Sequence, residues 1–163
     1  MDSSAKRSYA EKIRRGLRSQ LAALRFHRTK TSFWTRPAEA LIEFVHLHLY
    51  RHGPLFRVHL GIRVLNDPFE AVALNGPSSH PTDPYNLEFD DSEESIVRCA
   101  FDITRYCQEV GEPWFAKWRD PARLLRHPES PLHPRERDAM QAAMRGEVQA
   151  RYAQHSLHLL GVA

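Results

Sequence analysis

The order of elements along the chain predicts an α+β domain: one helix, an antiparallel meander of at least three strands, then helices packed on one face of that sheet. Three observations carry this. An apolar stripe at helical spacing runs through residues 5–24. Two segments, 40–50 and 56–64, alternate on either side of the turn Arg51-His52-Gly53-Pro54. Helical stripes with start and stop signals then fill the chain from Asp91 onward. The sequence has 163 residues, 42% hydrophobic and 26% charged. That is the length of one domain, 1–163, able to bury roughly two-thirds of its unfolded surface without a disulfide or metal.

In the first helix Tyr9, Ile13, Leu17, Leu21 and Leu24 recur at spacings of four and three and form one face. The period changes after Phe26, and 33–36 reads as a short strand closed by Pro37. In the next strand Leu41, Val45, Leu47 and Leu49 share one face, while Ile42, Phe44, His46, His48 and Tyr50 share the other. Phe56, Val58, Leu60, Ile62 and Val64 then alternate with Arg57, His59, Gly61 and Arg63. The glycine-containing turn between the two runs predicts an antiparallel hairpin.

Residues 66–90 contain Pro68, Pro77, Pro81 and Pro84 and show no period. Short strands are expected at 70–74 and 87–89. An irregular stretch of this length predicts a contact surface. Asp91 with Glu94 three residues later opens a helix whose stripe is Ile96, Cys99, Ala100, Ile103, Tyr106, Cys107 and Val110. Gly111 and Pro113 separate it from a helix bearing Trp114, Phe115 and Trp118, read as a cap on the core. Asp120-Pro121 starts a short helix to Arg126, 127–134 is a proline-stiffened linker, and one last helix is expected over 135–159. Its stripe would be Met140, Met144, Val148, Tyr152, His155 and Leu159.

Charge is unevenly distributed. The net formal charge is +3, but residues 1–30 carry +7 and the remainder −4. The segment 83–95 holds six acidic side chains and no basic one. No apolar run approaches the ~20 residues of a membrane span. Cys99 and Cys107, about 12 Å apart along one helix, are too distant to bridge. Two free thiols and a charged first segment without a signal-like apolar stretch predict a cytoplasmic protein.

The motifs of phosphate-binding loops, dinucleotide folds, zinc proteases and nucleophile elbows are all missing from the sequence. A non-enzymatic protein without a cofactor is therefore the leading expectation. The residues that suggest a site are Phe44, His46, His48 and Tyr50 on one strand with Arg57, His59 and Arg63 on the next, all on one face. Arginine and aromatic side chains on such a face would anchor an acidic loop of a protein partner, or stack bases and meet phosphates. His46, His48 and His59 also have the spacing of a three-histidine metal site, which makes a metal-dependent or small-molecule enzyme a further alternative, although Arg57 and Arg63 beside them would repel a cation. For a nucleic-acid partner, Lys12, Arg15 and Arg18 on the first helix form a basic face.

The chain also resembles the bacterial domain-of-unknown-function family numbered 4304. The similar features are the helix and basic–phenylalanine step in 21–28, the aromatic strand at Ser32-Phe33-Trp34, and the alternating strand from Glu43 to Leu49. The strand from Phe56 closing in Leu60-Gly61-Ile62, and the ending Gly111-x-Pro113-Trp114-Phe115, complete the resemblance. It covers 8–126 and leaves 134–160 as a helical extension. The sequence departs at the second strand, where family members often carry a glutamine in place of one histidine. The resemblance implies an α+β fold and an accessory bacterial role, such as an immunity-type or regulatory protein that binds a cognate toxin or effector.

Overall fold

The computed structural model describes residues 1–162. Helix α1, Ser3–Ala23, begins where the Asp2 carboxylate accepts the Ala5 N–H at 2.8 Å, and it buries Ala10, Ile13, Leu17 and Leu21. Its end is closed by Phe26 N–H donating to the Leu21 carbonyl, with Arg25 held at φ 65°. A left-handed residue at this position redirects the chain into the sheet.

Four strands follow: β1 His27–Lys30, β2 Phe33–Ala38, β3 Leu41–Leu49 and β4 Phe56–Val64. They form one antiparallel sheet in the order β1-β2-β3-β4. The expected meander is present, with one strand more. β1 has the sequence His-Arg-Thr-Lys, which carries no apolar alternation to mark it. Across β3 and β4 the register pairs Leu41 with Val64 and Leu49 with Phe56. This places Leu41, Val45, Leu47, Val58, Leu60 and Ile62 in the main core.

Helix α2, Glu93–Tyr106, is capped by Ser92 and packs beside α1. It passes through a π-turn, Cys107–Gly111, into α3, Glu112–Trp118, so the chain stays helical where Gly111 suggested a stop. α4, Pro121–Arg126, starts at the Asp120 cap as expected. Phe115 and Trp118 are buried in the core, with Trp114 half-buried against it. Cys99 and Cys107 are free and buried, and burial pushes both thiols up to about 12. One charged pair sits within this apolar layer. Arg36 and Glu43, paired across β2 and β3, bond at 2.5 Å, and Arg119 and Glu112 extend the cluster to α3. The Arg36 guanidinium lies 4.2 Å over the Phe26 ring.

The segment between β4 and α2 forms neither expected strand. It runs instead along the outer edge of β4 as a covering of single bonds. The Asn75 side chain pairs with both the N–H and the carbonyl of Ile62, Leu60 N–H donates to the Pro77 carbonyl, and Ser79 bonds Val58 twice. Phe56 N–H then donates to the Leu87 carbonyl. Prolines deprive this stretch of the N–H groups a continuous ladder needs, yet an uncovered edge strand would template aggregation. Gly76 is required here, because a Cβ would stand 2.5 Å from the Leu60 carbonyl oxygen.

The expected single last helix is two: α5, Pro134–Met144, and α6, Ala150–Leu160. Gly146 at φ 76° breaks it, and Asn66 holds the break by donating to the Ala139 and Glu147 carbonyls and accepting from Gln149 N–H. Met140 joins the main core, while Met144 and Val148 are exposed. α5 and the earlier helices serve the main core, whereas α6 crosses to the other sheet face. There Leu157, Leu160 and Val162 pack on Ile42 and Phe44. Among the described residues, no helix is long and apolar enough to cross a membrane.

Candidate functional site

The outer face of β3 and β4 divides in two. At one end, Ile42 and Phe44 are sealed under α6. Phe44 lies directly over its register partner Gly61, where a Cβ would meet the ring at 2.1 Å. Arg63 is 1% exposed and fully engaged. It donates to Ser156 Oγ at 2.9 Å and to the carbonyls of Ala71, Asp67 and Phe69 at 2.8–2.9 Å, and it pairs with Asp67 at 3.3 Å. Two of the seven residues expected to meet a partner, Phe44 and Arg63, are therefore structural. Alternation assigned them to the correct face. It gave no sign that a helix over ninety residues away would cover that end.

At the other end the face is open. His46 and His59 are directly opposite each other, as are His48 and Arg57. His48 is exposed, and His46, Tyr50, Arg57 and His59 are half-buried. Phe33 flanks His46 at 4.6 Å between ring centres, and Tyr50 meets His48 edge-on at 5.4 Å. Burial, followed by the neighbouring His59 and His48, pushes His46 down to about 4. Burial and then Arg57 lower His59 as well. The lowered values favour neutral His46 and His59 rings near pH 7, and Arg57 places a positive charge on this polar, aromatic face.

The three histidine rings stand 5.7–6.5 Å apart, centre to centre. Among the described residues, no group of three His, Cys, Asp or Glu side chains is placed to hold a metal ion. The three-histidine expectation is therefore corrected to a cluster of rings set side by side, in which His46 stacks on His59 and His48 meets His59 edge-on.

Tyr50 and Arg57 also line a cleft of about 370 Å³ between the start of β4, the 79–88 segment and α2. Arg57 donates to Ser78 Oγ at 2.8 Å, and its buried Nε has no partner. The opposite wall is braced. Tyr85 donates to Glu109 at 2.6 Å, which pushes the phenol up to about 12, and Asn86 N–H donates to Asp102 at 2.9 Å. Arg105 ties Asp102 to Glu109. On the far side of Tyr50 lies a second hollow of about 420 Å³, whose charged walls are Lys6, Arg7 and Arg51 with His52. Lys6 donates to the Tyr50 and Arg51 carbonyls, fixing this corner. The sequence placed a contact surface in 66–90, which contains Tyr85, but did not single out Tyr85 or Asp102, since a cleft between a loop and a helix has no period.

On α1 the three expected basic residues separate. Arg15 and Arg18 line a groove of about 600 Å³ against β1, together with Glu11, Arg14, His27 and Arg28. Lys12 points away and lies over the Tyr9 ring at 5.1 Å. No family model, curated protein or solved structure matches the chain.

Proposed function

We propose that this chain is a non-enzymatic cytoplasmic interaction protein, of the immunity or regulatory type, that binds an acidic loop of a cognate protein partner around Tyr50 and Arg57. One observation carries the reading: the open half of the polar sheet face runs into the cleft through those two side chains. Tyrosine and arginine in a concave, partly desolvated setting are the residue types that dominate binding energy at interfaces. The bonded walls make the cleft largely preformed, so association spends little on ordering it. The positive charge of Arg57, with Arg7 and Arg51 around the hollow beyond Tyr50, favours a carboxylate from the partner at that corner, away from Asp83 and Glu88 on the other walls of the cleft. The resemblance to the family numbered 4304 suggests the same class of role.

The test is affinity capture from the native host with nuclease present, followed by titration of the purified pair. A stoichiometric protein complex weakened at least about tenfold by Tyr50→Ala or Arg57→Ala, in variants that remain folded, is the expected result. Unchanged affinity in both variants would refute the site. Captured material that disappears with nuclease would refute the protein-partner reading.

A further inference from the structure

The groove between α1 and β1 contains more positive charge than its surroundings balance. Glu11 is its single carboxylate, and four guanidinium groups surround it. Arg28 takes both carboxylate oxygens at 2.8 and 2.9 Å and donates two further bonds to the Lys30 and Thr31 carbonyls. Arg15 is left at 3.5 Å and Arg14 at 3.8 Å from Glu11, beyond good hydrogen-bond length. Arg18 makes no ion pair among the described residues, and His27 adds a further donor at the rim.

Arg14 is the unusual member. It is 8% exposed, yet its buried Nε has no hydrogen-bond partner. Its guanidinium stacks on the Phe56 ring at 5.3 Å, and the side chain reaches the groove from beneath. A buried guanidinium short of acceptors is costly, and its Nη1, 3.8 Å from Glu11, is the end that reaches the groove, where an anion would accept from it. Arg14, Arg15 and Arg18 present planar donor forks from one helix face, which suit the several oxygens of a phosphate group.

We propose that this groove is a binding site for a compact phosphate dianion, either inorganic phosphate or a small phosphomonoester, held by Arg14, Arg15 and Arg18. The cations gather around one hollow, which favours a compact anion over an extended strand. The aromatic wall of the groove, Phe26, is 1% exposed and offers no face on which a base could stack. The site is separate from the Tyr50 cleft and does not depend on the partner reading.

The test uses the full chain with inorganic phosphate as the probe, by calorimetric titration and by thermal unfolding against sodium chloride at equal ionic strength. Phosphoserine and a single-stranded oligonucleotide form the comparison arms. Saturable phosphate binding, with a rise in unfolding temperature that chloride does not reproduce, is expected. Arg18→Glu, a change at an exposed position that leaves folding intact, should weaken it at least about tenfold. Glu11→Gln, which removes the competing carboxylate, should tighten it. A response to phosphoserine equal to or stronger than that to phosphate supports a phosphomonoester ligand; a response to phosphate alone supports the free ion. No saturable effect beyond chloride, or binding unchanged in Arg18→Glu, overturns the proposal. Binding of the oligonucleotide without any response to phosphate or phosphoserine overturns it in favour of a nucleic-acid surface.

Discussion

The two ends of the outer sheet face begin from the same pattern and reach different fates. Ile42, Phe44, Gly61 and Arg63 at one end, and His46, His48, Arg57 and His59 at the other, are consecutive outward positions of one hairpin. α6 and the 65–72 segment close over the first set, turning a phenylalanine and an arginine into core. The second set stays open and adjoins the cleft. An arginine on a strand is thus a structural clamp or a contact residue according to what lies above it.

The largest break in this comparison should come from truncating the two aromatic residues. Phe44→Ala empties a sealed site and should lower unfolding free energy by about 3–5 kcal/mol in urea denaturation. Tyr50→Ala, at the half-buried rim, should cost under about 1 kcal/mol. Next is Gly61→Ala, which forces a methyl into the Phe44 ring and should destabilise by about 1–3 kcal/mol. His48→Ala at the exposed position should stay within about 0.5 kcal/mol of wild type.

Acid sharpens the comparison from the open side. The folded state lowers the pKa of His46 and His59 below the ordinary value of 6.5. Between that value and about 4, for His46, the unfolded chain binds more protons than the folded one. The contribution of the neutral pair is therefore fully present above about pH 6.5 and is lost progressively as pH falls towards 4. His46→Gln should flatten the acid limb of a stability–pH curve relative to wild type. An acid limb unchanged in that variant would show that burial of His46 does not control the response.

Much of the layout was legible in the sequence because it rests on periodicity. The apolar stripe of α1, the β3–β4 hairpin with its faces and the cap at Asp120 all follow from local patterns, whereas the cap of α2 falls at Ser92, one residue past the expected Asp91. The rest depended on contacts between distant residues. β1 is held by its pairing with β2, Asn75 replaces a strand by bonding Ile62, and Asn66 bends the last helix into two. Of the expected partner residues, the structure leaves His46, His48, Tyr50, Arg57 and His59 together at the open end. It adds Tyr85 and Asp102, which only the folded loop brings near. On α1, Arg14 joins Arg15 and Arg18, because its long side chain, though buried, reaches the groove beside Glu11.

The most direct test sets the two arginines of β4 side by side. Urea unfolding of Arg57→Ala and Arg63→Ala compares side chains six residues apart on the same strand face. Loss of Arg63 leaves Asp67 buried with a weaker set of partners, so that variant should lose about 3–5 kcal/mol. Arg57→Ala should remain within about 1 kcal/mol of wild type. Equal losses, or a larger loss at Arg57, would contradict the division of this face into a sealed half and a free one.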